Sequence, residues 1–282
     1  MCWGTADYLS RRHSQLVGHY KTVVHSHLTT LLFLALIIGV FGLRIDIVQV
    51  PTMVLIAAGV LNFLAFVYLY RAFHKGVVSV VAPVAYTYPA VTVILSVLFL
   101  GASLNLVRGL GISAVMVGVI LLSTKVSELR ASLGSRTRMK ITSGLGSAIA
   151  ASVLFGVVYV GVGYATPFSG FAFPPVVLRA AAVSVGLLLL IVRGETIKPW
   201  RVAFSRTTIA MGALESVGFL SFNYGIYLGP DSLPIVAALS GMGGAVAASY
   251  ALLFIRERLE MNQLLGIGVS AAGVFTLLYL GG

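Results

Sequence analysis

The 282-residue chain has little charge, and less of it is acidic than basic. Only 10% of its residues are charged, eight Asp and Glu against nineteen Lys and Arg, while 59% are hydrophobic and the mean hydropathy is +1.01. A soluble domain of this composition would leave apolar surface that it could not cover, so lipid is the solvent for most of the chain. The single cysteine, Cys2, excludes an internal disulfide framework and a cysteine-based zinc site. The opening lacks the basic stretch and small-residue cleavage site of a secretory signal. There is no His-x-x-x-His pair, phosphate-binding loop or dinucleotide-binding glycine pattern, and the acids are too scattered for a two-carboxylate hydrolase. Neither an enzyme, nor ATP-driven pumping, nor a metal or cofactor is expected.

What the chain does have is apolar runs. They fall at 28–43, 52–72, 77–100, 105–123, 143–165, 173–192, 207–228, 233–255 and 263–280, preceded by a short stub at Cys2–Leu9. Lipid cannot satisfy free amides, so spanning segments are helices or closed barrels, and runs of about 20 residues without strict alternation read as helices. One long polar stretch, 124–142, holds five Lys/Arg and one acid and reads as a basic linker. The expected division is a first unit at 1–123, a linker at 124–141 and a second unit at 142–282.

The two units are related. Laying 98–122 on 253–277 matches nine of twenty-five positions, among them Leu110/Leu265, Gly111/Gly266, Gly118/Gly273 and Leu122/Leu277. Upstream, Gly59/Gly212, Leu61/Leu214 and Phe66/Phe219 pair, and the same comparison sets Trp3-Gly4 against Phe155-Gly156 and His27 against Arg179. Trp3-Gly4 is therefore placed mid-helix, and the chain is expected to begin inside its first transmembrane helix. The odd-numbered loops carry 16 of the 19 Lys and Arg, which puts them in the cytoplasm and the carboxy terminus outside. This distribution accounts for the +11 net charge without nucleic acid. Five helices per unit is an odd number, so the second unit is expected upside down, making an all-α polytopic membrane protein of ten helices in a 5+5 inverted repeat.

Together, "WG" in helix 1, "YRAFHKGVVSVVAPVAYTYPAVTVILSVLFLG" across helices 3 and 4, and "YALLFIRERLEMNQLLGIGVSAAGVFTLL" across helices 9 and 10 resemble the EamA-type branch of the drug/metabolite transporter superfamily. The resemblance implies a central substrate cavity, alternating access, and a place in the cell membrane as a secondary transporter of small metabolites or drug-like solutes. Two departures stand out: helix 1 is incomplete, and the Gly-Glu step that ends helices 4 and 9 in the family survives only at Glu257, with Ala102 in the first unit. A non-transporting scaffold, a truncated inactive carrier, or an enzyme acting on lipid-linked substrates are the alternatives. The expected partners are a small-molecule solute and the bilayer, with the chain a monomer or a homodimer.

Glu215 is read as the one acid well inside an apolar span, where an unpaired charge costs several kcal/mol, and it is the candidate coupling group. It superposes on Asn62 in the repeat, so both units place a polar side chain at one depth. Pro83 and Pro89 flank Tyr86, Thr87 and Tyr88 and bend helix 4, putting Tyr86 on the kinked face; Tyr88 suits either the cavity or the interface. Asn223 and Ser240 complete the candidate substrate-binding set of Asn62, Tyr86, Tyr88, Glu215, Asn223 and Ser240, although Ser240 also fits plain packing. Arg179 is expected to snorkel to the interface. Tyr224 and Tyr227 are expected there too. Gly111 with Gly118, Gly266 with Ser270 and Gly273, and Gly241 with Gly244, Ala245 and Ala248 form ridges of small residues for close helix packing.

Overall fold

The computed structural model describes residues 2–75, 78–124, 126–127, 129, 135–197, 199–229, 231–243 and 260–280, and every regular element among them is helical. The first half runs α1 (Cys2–Val17), α2 (His19–Phe41), α3 (Gln49–Lys75), α4 (Val78–Ala85), α5 (Tyr88–Leu100) and α6 (Leu106–Ser123). The second runs α7 (Ser135–Ser169), α8 (Phe173–Val192), the single turn α9 (Trp200–Ala203), α10 (Arg206–Tyr227), α11 (Ser232–Gly241) and α12 (Met261–Phe275), which continues as a π-helical turn over Thr276–Leu280.

The breaks have local causes. Gly18, at φ +83°, separates α1 from α2 with a backbone conformation that other residues rarely adopt. Pro89 sits in the first turn of α5 and cannot donate back into α4, so the apolar run 77–100 is interrupted at Tyr86–Thr87. Asn105 caps α6 by accepting from the Arg108 amide at 2.7 Å. At the other end of α6, Asn262 donates to the carbonyls of Leu121 and Thr124 and Gln263 to that of Leu122, satisfying groups the helix leaves free.

Among the described residues, seven stretches are long and apolar enough to cross a membrane: His19–Phe41, Gln49–Phe73, Pro83–Leu100, Leu106–Ser123, Gly144–Ser169, Phe173–Val192 and Met261–Leu280. α10 has 22 residues but carries Glu215, Asn223 and four Ser/Thr, and falls outside the seven. α11 is the start of the expected run 233–255; residues 244–255, with Gly244, Ala245 and Ala248, lie outside the described residues, as does Glu257. Two boundaries differ from the sequence reading. α2 starts at His19 rather than near 28, because Thr22, His25, Ser26 and His27 are buried against neighbouring helices instead of ending the span. α7 starts at Ser135, inside the segment read as a linker.

Leu36, Val40, Leu98, Phe99, Leu188, Ile191, Leu264 and Leu278 are exposed on the outside of the bundle, whereas Asn62, Arg179, Ser216 and Asn223 are fully buried. That is the reverse of a soluble protein. Lipid is as apolar as leucine, so close packing and internal polar contacts hold such helices together. α3 packs on α7 and α8, α2 on α8 and α10, α1 on α10, α5 on α7 and α11, and α6 on α12. Between α6 and α12 the backbones touch: a methyl on Gly118 would lie 2.5 Å from the Ser270 nitrogen, and one on Gly273 would lie 2.7 Å from the Val115 nitrogen. The small residues read as ridges in these two helices are what permits this approach.

Candidate functional site

Four helices each send one polar side chain to a single point inside the bundle. Arg179 of α8 forms an ion pair with Glu215 of α10. Its Nη1 donates to Asn62 Oδ1 of α3 at 3.0 Å and to His27 Nε2 of α2 at 2.7 Å. The guanidinium carbon lies 4.3 Å from the centre of the Phe219 ring and 5.4 Å from that of Phe66, so two aromatic faces flank the charge. Arg179 is 0% exposed and Glu215 4%. Within lipid neither charge is tolerable alone, and mutual neutralisation together with the polar contacts offsets their desolvation.

Arg179 therefore does not snorkel. It lies too deep, and an acid, an amide and an imidazole on three other helices converge on its two terminal nitrogens, leaving Nε without a partner among the described residues. His27, which the sequence reading left aside, belongs to the same cluster. A pair such as His27 and Arg179, matched in the internal repeat and both polar, is the signal that could have found it.

Beside this cluster opens a cavity with about 480 Å³ of empty space, its open mouth included. Its wall is largely aromatic, with Trp3 of α1, Phe66 of α3, Phe155 and Tyr159 of α7 and Phe219 of α10. The rings are in contact: Trp3 lies 5.0 Å from Phe219 and 5.8 Å from Tyr159, and Phe66 lies 5.0 Å from Phe155, between ring centres. Tyr86 and Tyr88 enter from either side of the α4–α5 break, and Ser240 from α11. The Tyr88 hydroxyl lies 2.9 Å from that of Ser240, which donates to the Ala237 carbonyl at 2.6 Å. Two carboxylates face the space, Glu215 and Asp7. The Tyr86 hydroxyl donates to Asp7 Oδ2 at 2.8 Å.

Of the six candidate residues, Tyr86, Tyr88, Glu215 and Ser240 line the cavity. Asn62 stands behind it, bonded to Arg179. Asn223 is fully buried between helices, where it accepts from the Thr166 hydroxyl at 3.0 Å and donates to the Phe219 carbonyl at 2.9 Å. Tyr224 and Tyr227 are exposed and lie against Phe171. Asp7, one turn after Trp3 on α1, is not among the six candidates, and its place on a helix facing Tyr86 is what brings it to the cavity. Among the described residues no three His, Cys, Asp or Glu side chains gather where they could hold a metal ion.

Apolar helices closed around a cavity that holds buried charges define a multi-pass membrane protein. The EamA-like transporter family, within the drug/metabolite transporter superfamily, matches residues 1–124, the first part of the chain. A stretch of 68 residues is 43% identical to an uncharacterized protein of Methanocaldococcus jannaschii, covering 24% of this chain and 50% of that protein; the chain thus spans about half the length of the curated relative it matches. A solved crystal structure, titled only as that of a protein, superposes with a TM-score of 0.74 over 99% of this chain and 94% of the other at 14% identity, which is a likeness of fold.

Proposed function

We propose that the chain is a secondary transporter of small metabolites or drug-like solutes, exporting them by alternating access around the aromatic cavity. The observation that carries this reading is the cavity itself: a partly open space beside a buried ion pair, lined by residues from both halves of the chain. Ionisable groups inside a bilayer are costly and commonly mark a pathway. Proton coupling through the carboxylates that face the cavity, Glu215 and Asp7, belongs to the same reading.

The ten-helix inverted repeat is part of the proposal, and the contacts support it. Helices matched by the repeat meet one another, α2 with α8, α5 with α11 and α6 with α12, while α3 on α8 is mirrored by α2 on α10, and α3 on α7 by α1 on α10. The close approaches follow the same exchange. A methyl on Gly59 would strike Ala181 at 2.6 Å, and one on its counterpart Gly212 would strike Thr29 at 2.7 Å. In α6 and α12, Gly111 lies against Gly273 and Gly118 against Gly266, so these matched helices run antiparallel. A symmetry axis along the membrane normal would make them parallel; an axis in the membrane plane makes them antiparallel, as inverted repeats require. A cytoplasmic position for the basic loops and an outside carboxy terminus complete the topology.

The test is flux in proteoliposomes enclosing a pH-sensitive dye, with a panel of metabolites and drug-like solutes added outside under an imposed pH gradient. Wild-type protein should couple proton movement to at least one solute. Ser240→Trp, which fills the cavity, should abolish that movement while leaving helical content and gel-filtration behaviour unchanged. Equal flux with the plugged variant would remove the cavity from the pathway.

A further inference from the structure

Charge bookkeeping at the cavity leaves one group over. Glu215 is matched by Arg179, whose guanidinium is bonded to three side chains and flanked by two rings. Asp7 has no such partner: among the described residues it makes no ion pair, and the Tyr86 hydroxyl occupies Oδ2 alone. Asp7 is half-buried and lines the cavity. The groups near enough to act on it electrostatically are Tyr70 of α3, Tyr86, Tyr88 of α5, Tyr159 of α7, Arg179 of α8 and Glu215 of α10. Four of these six are phenols. An anion entering the cavity would meet two carboxylates, and the nearest guanidinium among the described residues has both terminal nitrogens engaged, whereas a cation would meet an available carboxylate oxygen and the rings of Trp3, Phe155 and Tyr159. Ring faces attract cations and bury flat apolar bodies, and a few polar groups fix the orientation.

We infer that Asp7 anchors the solute, and that the solute is an organic cation: an ammonium group carried on a flat aromatic or apolar body. The ammonium sits against Asp7 Oδ1, while the body lies among the rings. A second consequence concerns protons. One carboxylate cannot hold both a proton and an ammonium group, so loading the cation releases the proton if Asp7 carried one, and the exchange balances in charge. This inference rests on the carrier reading for its site and names the solute class for the same cavity.

Three probes share one body and differ in charge: phenethylamine, phenethyl alcohol and phenylacetate. The chain has two tryptophans, Trp3 in the cavity wall and Trp200, which is exposed. In Trp200→Phe protein the remaining emission therefore reports the cavity, and calorimetry on the same detergent-solubilised sample gives an independent affinity. Phenethylamine should bind at least about ten-fold more tightly than either analogue. Asp7→Asn should abolish that preference without lowering the melting temperature, and Asp7→Glu should restore part of it. The inference is overturned if phenylacetate binds as tightly as the amine, if the amine shows no saturable binding, or if Asp7→Asn leaves the preference intact. Vesicle flux separates the two readings. Transport of a neutral or anionic solute without amine binding sinks the cation site and leaves the carrier standing, and amine binding without flux of any solute does the reverse.

Discussion

His27 and Arg179, counterparts in the internal repeat and 152 residues apart in the chain, touch: Nη1 of the guanidinium donates to the imidazole Nε2 at 2.7 Å. In the proposed inverted repeat such a contact places both residues close to the two-fold axis. Asn62 and Glu215, also counterparts, bind the same guanidinium from different sides, and Phe66 and Phe219 flank it. Three matched pairs thus converge on one cation, and the polar core of the bundle lies where its two halves meet.

The ion pair at this point makes single and double substitutions diverge. Removing one partner leaves the other charged and buried, at a cost of about 3–5 kcal/mol, whereas replacing both with apolar residues of similar size is close to neutral. Arg179→Met and Glu215→Leu should each lower the melting temperature of the purified protein sharply, and the double variant should regain most of the loss. Additive losses in the double variant would mean that the two charges do not stabilise each other. Glu215→Gln belongs to the same series, and any loss of proton-dependent flux in that variant has to be read against its stability.

Two glycines on α12 provide a matched comparison. A methyl on Gly266 would lie 2.6 Å from the Leu122 nitrogen, while one on Gly268 would meet nothing within 4 Å. Gly266→Ala should destabilise by about 1–3 kcal/mol through forced separation of α6 and α12. Gly268→Ala should be neutral or stabilising, by up to about 1 kcal/mol of helix propensity. Thermal unfolding of the two variants side by side decides the matter, and equal melting points would contradict the backbone contact.

Outside the spans, Asp231 ties the α10–α11 loop to the α5–α6 loop. The Ser103 amide donates to its Oδ1 at 2.7 Å and the Ser103 hydroxyl to its Oδ2 at 2.8 Å, with Arg108 4.0 Å away. The backbone bond from Ser103 first, then its hydroxyl, hold the Asp231 carboxyl below its usual range, with Arg108 adding less. A carboxyl lowered on folding stabilises fully above its unfolded value of about 3.9 and loses that contribution as pH falls through the lower folded value. The protection factor of the Ser103 amide in hydrogen exchange should therefore stay constant down to about pH 4 and fall at lower pH. In Asp231→Asn it should be low throughout; similar protection in both proteins would show that another group holds this loop.

Much of the architecture was legible in composition and spacing. Runs of apolar residues located the spans, the two prolines marked the α4–α5 break, and repeat matching put Asn62 level with Glu215. Depth was harder to read. A lone arginine one turn inside a helix looks like a snorkelling side chain until its partners are known, and those partners sit on three other helices. The polar start of α2 was discounted for a related reason: Thr22, Ser26 and His27 look like loop residues by hydropathy, but their burial depends on neighbours that no local window contains. Asp7 is a similar case, since its place at the cavity depends on Tyr86 of a distant segment.

The four glycines that bring α6 and α12 into backbone contact give the protein a keel. Neither helix supplies a residue to the aromatic cavity, and two helices locked at this distance cannot part or change register without opening a void. In the proposed carrier, rocking of the halves would pivot around this seam, which makes it the place to attach a rigid tag.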